Sequence, residues 1–263
     1  LPDFVPVSCA STMRSKFDEI GRHMETSMGK NFFCCDAVLD TYSRQIEISS
    51  GWAQQMQPIS WITADKRTYV PWASKKYDVM VFGMPRFFHY GDGMGTNPIM
   101  FLQAISAQVI RHKRVLSDRC VIICSSFCDG DYSEKLWPYT KEMMRLYQYK
   151  NTLPDLNEYG ETFARNQEYI DRYRFHNAFH PFHGFSMISC GHIAVMNTSA
   201  IYIVGAKEPG VARSMGLTTR ATFEEALADA MKKYVGPNPN ILALPRTFKT
   251  AAVHLCMKEN ADD

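Results

Sequence analysis

Residues Tyr77-Asp78-Val79-Met80-Val81-Phe82 lead into Gly83-Met84-Pro85-Arg86-Phe87-Phe88-His89-Tyr90-Gly91-Asp92-Gly93-Met94-Gly95-Thr96, and then into Asn97-Pro98 and a helix pattern. Apart from Asp78, the first six form a continuous apolar run. That is the pattern of a parallel strand covered on both faces. Asn97 followed by Pro98 is a helix start, because the asparagine caps a free amide and proline needs no hydrogen-bond acceptor there. Strand, loop and helix in that order form one half of a parallel crossover unit.

Working outward, the runs Val121–Cys124, Ala200–Val204 and Ile241–Leu244 have the same continuous character. Between them lie helix patterns over Pro98–Leu116, Glu134–Tyr149, Phe182–Asn197 and Thr222–Tyr234. The last is capped by Thr222 and stopped by Gly236-Pro237. The expected fold is α/β, a layered Rossmann-like, mainly parallel sheet with helices on both faces. A small N-terminal portion adds a helix over Ser11–Ser27 and an antiparallel pair at an edge, Phe32–Leu39 with Arg44–Ile48. Residues 1–72 are read as this helix-and-hairpin portion, packed on a main domain of residues 73–263.

The chain has 263 residues, 46% hydrophobic and 21% charged, which excludes disorder as its main state. Basic and acidic residues number 29 and 27, a net charge of +2, too balanced to argue for nucleic acid or an anionic membrane. The longest apolar run, Ile193 to Ala206, is broken by Asn197, Thr198 and Ser199. With no secretory leader pattern either, a soluble, cytoplasmic protein is expected. The eight cysteines include no Cys-x-x-Cys, and several sit in strand-like runs, so they are read as reduced. The chain starts with Leu1 rather than Met, so a processed protein or a piece of a longer one is expected.

The segment after Phe82 leaves the carboxyl end of a strand, where open α/β sheets bind ligands. Gly91, Gly93 and Gly95 would let a ligand approach the backbone, and the helix N-terminus at Asn97 would favour an anion. The spacing is not that of a dinucleotide fingerprint, and a plain glycine-rich connection is the competing reading. Gln103, on the largely apolar helix that follows, either touches a ligand or faces solvent. His176, His180 and His183 have intervals of four and three residues, but Pro181 interrupts a helical metal site. An aromatic loop that closes a cleft or docks another domain fits that segment better. Asp129, Asp131 and Glu134 read as a solvated turn. Gly-x-Ser-x-Gly, Walker A, His-Glu-x-x-His and EF-hand patterns do not occur.

Two stretches resemble the C-terminal domain of the nickel-dependent lactate racemase family. One runs from Tyr77 to Gly83 and on through Asn97-Pro98-Ile99-Met100-Phe101-Leu102-Gln103-Ala104. The other runs from Ala200-Ile201-Tyr202-Ile203-Val204 through Met215-Gly216-Leu217 and Ala221-Thr222-Phe223-Glu224-Glu225-Ala226-Leu227 to Ile241-Leu242-Ala243-Leu244-Pro245. The resemblance matches Gln103 to the family's substrate-facing glutamine. It places Ser106 where the family has a lysine, and His89 is then the candidate to replace that charge.

The implied function is that of a substrate-covering domain of a 2-hydroxyacid racemase or epimerase, inactive alone. Its substrate-binding residues would be Gln103, His89, Asn97 and Gly95, with no catalytic or metal-binding residue in this chain. The implied cofactor, a nickel-pincer nucleotide, would be held by an N-terminal domain of the same protein, which has no counterpart here. None is expected in this chain alone. The partners would be that domain and a small 2-hydroxy acid, not nucleic acid or membrane. Two alternatives are a non-catalytic small-anion-binding or scaffold domain, and a metal hydrolase built on His176, His180 and His183.

Overall fold

The computed structural model describes residues 12–87, 95–149, 153–250 and 253–258. These fall into two compact units, one reaching to Ser74 and resuming at Thr247, the other Lys75–Arg246.

The first unit opens with α1 (Thr12–Met28), followed by the strands β1 (Phe33–Leu39) and β2 (Gln45–Trp52). β1 and β2 pair antiparallel, with Phe33 opposite Trp52 and Ala37 opposite Ile48. The pairing matches the sequence reading, but the two strands form a sheet of their own rather than an edge of the main one. Asp40 closes their turn: its carboxylate accepts from the Tyr42 and Arg44 amides at 2.8 and 2.9 Å. A helix that the sequence reading missed, α2 (Ala53–Thr68), runs straight into β3 (Tyr69–Ala73). It has no side-chain cap and carries Pro58 inside, so neither start signal nor periodicity announced it. The apolar stripe of α1, residues Phe17, Ile20, Met24 and Met28, stands 45–60% exposed.

The second unit begins with β4 (Tyr77–Gly83), α3 (Pro98–His112) and β5 (Leu116–Ser125). The expected helix to Leu116 ends at His112, and a short 3-10 turn over Lys113–Val115 turns the chain into the strand. Then come α4 (Thr140–Tyr149), α5 (Leu153–Ala164), α6 (Gln167–Phe175), α7 (Pro181–Asn197), β6 (Ala200–Val204), α8 (Pro209–Ser214), β7 (Thr218–Arg220), α9 (Phe223–Ala230) and β8 (Ile241–Ala243). α4 starts six residues later than expected because Pro138 disfavours helical geometry at Trp137. α5 occupies part of the expected loop Asn151–Asp155, and α6 begins at an Asn166 cap.

The sheet order is β7-β6-β5-β4-β8, and every pairing is parallel. All four strands expected from their apolar runs therefore lie in one Rossmann-like α/β sheet. Val79, Val121, Ile123 and Tyr202 pack against Ala226 and Ala230 of α9. The alternate residues Met80, Ile122 and Ile203 are also 0% exposed, so both faces of the central strands are covered. α3 and α7 touch closely at Gly191, where an added Cβ would lie 2.9 Å from Leu102 Cγ.

The last described strand, β9 (His254–Met257), pairs parallel with β3, Tyr69 opposite His254. The tail thus joins the N-terminal unit, whereas the sequence reading assigned it to the main domain. Among the described residues no helix is long and apolar enough to cross a membrane.

Candidate functional site

The neighbouring strands β4, β5 and β6 end at Gly83, Ser125 and Val204, and their following loops are tied to one another. The Met84 amide donates to the Ser125 carbonyl at 2.8 Å, and the Ser126 amide to Val204 at 3.1 Å. The Ser126 hydroxyl donates to the Gly95 carbonyl at 2.6 Å and accepts from the Cys128 amide at 3.2 Å. The Lys207 and Glu208 amides donate to the carbonyls of Phe127 and Cys128 at 2.7 and 3.0 Å. Cys128 takes a φ of 29°, an unusual conformation for a residue with a Cβ. One loop, Ser126–Gly130, therefore sets the positions of the loops on either side of it.

Gly95 has a packing reason to be glycine. A Cβ there would lie 1.5 Å from the Pro85 carbonyl oxygen, so chain meets chain at this point. Asn97 is fully buried. Its Oδ1 accepts from the Ile99 amide at 3.0 Å, and its Nδ2 donates to the Gly130 carbonyl at 3.3 Å. The Met100 and Phe101 amides donate to the Asn97 carbonyl at 3.1 and 3.0 Å. Pro98 has no amide hydrogen, so these donors of the first turn of α3 are already taken. The anion cradle expected at this helix start is closed by its own cap. His89, with Gly91 and Gly93, lies outside the described residues.

Gln103 lies about 9 Å further along α3 than Asn97, at 1.5 Å rise per residue. It is half-buried, and its Oε1 is buried with no hydrogen-bond partner. The Thr96 Oγ1, in a residue 1% exposed, is likewise without a partner. A buried polar atom left unsatisfied costs about 1–3 kcal/mol, and such atoms are rare in native proteins. Ser106 is occupied instead: its hydroxyl donates to the Gly191 carbonyl at 2.8 Å and accepts from the Ala194 amide at 2.8 Å.

The sequence reading missed two cations at the same sheet edge. The Arg86 guanidinium carbon lies 5.3 Å from the ring centroid of Phe127, and Lys207 Nζ lies 5.4 Å from it. Each is the first basic residue after its strand, a signal that needs the strand order to be useful.

Two of the segment's three histidines, His180 and His183, have structural partners. His180 caps α7 through its Nδ1, which accepts from the Phe182 amide at 3.2 Å, and its carbonyl accepts from the Tyr139 hydroxyl at 2.9 Å. Phe179 stacks on Trp137 with centroids 4.1 Å apart. Burial, and then the neighbouring His180, push the His183 pKa below its ordinary value. Among the described residues no group of three His, Cys, Asp or Glu side chains could hold a metal ion. Burial also pushes the thiols of Cys120 and Cys128 up to about 12, so neither is a nucleophile near neutral pH.

No family model and no curated protein sequence matches the chain. Among solved structures it is similar to the lactate racemase apoprotein from Thermoanaerobacterium thermosaccharolyticum, with a TM-score of 0.52 and 14% sequence identity. The match covers 90% of this chain and 48% of that one, so this chain spans about half the length of that protein. At this identity the likeness is one of fold.

Proposed function

We propose that this chain is the substrate-covering part of a racemase or epimerase of 2-hydroxy acids related to lactate racemase. The observation that carries the proposal is the buried, unpartnered Oε1 of Gln103. A lone acceptor requires a donor, and the hydroxyl of a 2-hydroxy acid is one that its carboxylate is not. The resemblance in sequence assigns the same residue to substrate, and the shared fold supports a common domain plan.

In this reading Gln103 accepts from the substrate hydroxyl and fixes which way the reacting carbon faces. The nickel-pincer nucleotide implied by the resemblance supplies hydride chemistry when bound. The described residues of this chain do not fit it: the histidines near Pro181 serve as cap and packing, and no cluster has a metal-ligand arrangement. The cofactor would belong to a further domain of the same protein. The exposed apolar stripe of α1 supports such a partner, since contiguous apolar surface marks contact sites.

The direct test is interconversion of D and L isomers of a panel of 2-hydroxy acids by the full-length protein with its cofactor installed. Loss of optical activity with at least one acid is expected. A full-length, cofactor-loaded protein that leaves every isomer unchanged would overturn the reading.

A further inference from the structure

We propose that Arg86 and Lys207, gathered on Phe127, form a binding subsite for the carboxylate of a small organic acid with a bulky apolar group. The identity of that acid as a 2-hydroxy acid rests on the proposed function; the cation pair does not.

Both cations stand on loops that leave the carboxyl ends of parallel strands, Arg86 after β4 and Lys207 after β6, with Phe127 after the strand between them. Ligands of open α/β sheets bind along that edge. Arg86 and Lys207 lie 5.3 and 5.4 Å from the centroid of one ring. Neither makes an ion pair among the described residues, although Asp129, Asp131 and Glu208 lie on the same loops. Both charges lie against one ring, so an anion bound beside Phe127 would be attracted by both.

The positions are also held in advance. The Lys207 amide is bonded to the Phe127 carbonyl at 2.7 Å, and the Arg86 carbonyl accepts from the Gly95 amide at 3.3 Å. Ligand binding therefore orders two side chains rather than two loops, which lowers its entropic cost. Phe127 is 44% exposed and Phe87 67% exposed, and Arg86 also lies 5.9 Å from the Phe87 ring. That aromatic surface suits an apolar group larger than a methyl. The pair also supplies positive charge that Ser106, bonded into α7, does not.

The test is calorimetric titration of the full 263-residue chain with 3-phenyllactate, 3-phenylpropionate, lactate and inorganic phosphate, at low and high salt. Both phenyl acids are expected to bind more tightly than lactate or phosphate, and more weakly as salt rises. Arg86→Ala and Lys207→Ala should each weaken them about tenfold, as for loss of a hydrogen bond to a charged group. Both side chains are exposed, and unchanged circular dichroism checks that the variants fold. Binding unchanged in the double variant, phosphate binding as tight as the phenyl acids, or no binding by any of the four would overturn the proposal. The proposed role of Gln103 adds that wild type should prefer phenyllactate, which has the hydroxyl, to phenylpropionate. If that preference is missing or survives Gln103→Ala while the cation variants lose both acids, the subsite stands and the proposed function falls.

Discussion

The Ser106 hydroxyl donates to the Gly191 carbonyl at 2.8 Å and accepts from the Ala194 amide at the same distance, so one side chain of α3 is bonded to two backbone groups of α7. This relationship explains why a position that the family resemblance gives to lysine carries no charge here. The residue is 2% exposed and faces another helix.

Ser106→Ala should therefore destabilise the chain by about 1–2 kcal/mol, the net loss of the hydroxyl's two hydrogen bonds to α7. Ser106→Lys should be worse, because it drives a charge into a close helix contact. Urea midpoints of the two variants check the order. A lysine variant as stable as wild type would show that α7 yields at this point.

Gly95→Ala should cost more than Gly191→Ala. At Gly95 a Cβ meets the Pro85 backbone oxygen at 1.5 Å, and backbone must move. At Gly191 it meets Leu102 Cγ at 2.9 Å, part of a side chain that can shift. About 3 kcal/mol or more is expected for the first and about 1–3 kcal/mol for the second, the range for overpacking. Equal denaturation midpoints would contradict the placement of the loop.

Asp229 should contribute to stability near neutral pH and lose its contribution in acid. Its carboxylate pairs with Lys233 and Arg220 and accepts from the Tyr202 hydroxyl at 2.9 Å. Lys233 above all, then Tyr202 and Arg220, hold its pKa below the ordinary carboxylate value. A depressed folded pKa means stability that is present above the unfolded pKa and lost as pH falls through the folded one. The gap in urea midpoint between wild type and Asp229→Asn should therefore be wide at pH 6 and shrink progressively as pH falls below the ordinary carboxylate range. A gap independent of pH would argue against the ion pairs.

Alkylation by iodoacetamide near neutral pH should label Cys35 and Cys190, which are exposed, and spare Cys120, Cys124 and Cys128, which are buried. Desolvation raises all three buried thiols and suppresses the reactive thiolate. Peptide mass spectrometry reads the pattern, and early labelling of Cys128 would show that the Ser126–Gly130 loop opens.

Much of the sheet is legible in the sequence because β4, β5 and β6 are covered on both faces and therefore read as apolar runs; the edge strand β8 reads the same way although only Leu242 of it is buried. β7, Thr218–Arg220, has three half-exposed residues and no such run. α2 hides for a related reason: only Met56, Ser60 and Thr68 are buried along it, too few to make a periodic pattern. The cap at Asn97 is readable locally, but what it does is not. Its Nδ2 reaches Gly130, and that contact depends on strand order. The same holds for Arg86 and Lys207, which meet on Phe127 only because β5 lies between β4 and β6. The aromatic segment near His180 packs on Trp137 and Tyr139 within its own unit, where the sequence reading sent it to a cleft or another domain.

Gln103 carries the proposed substrate contact. The decisive measurement is kcat/KM of wild type and Gln103→Ala in the full-length, cofactor-loaded protein, with the 2-hydroxy acid it interconverts fastest. Loss of one hydrogen bond to substrate in a closed site predicts a fall of about 5- to 150-fold. A Gln103→Ala enzyme that turns over like wild type would contradict the assignment of this residue to substrate.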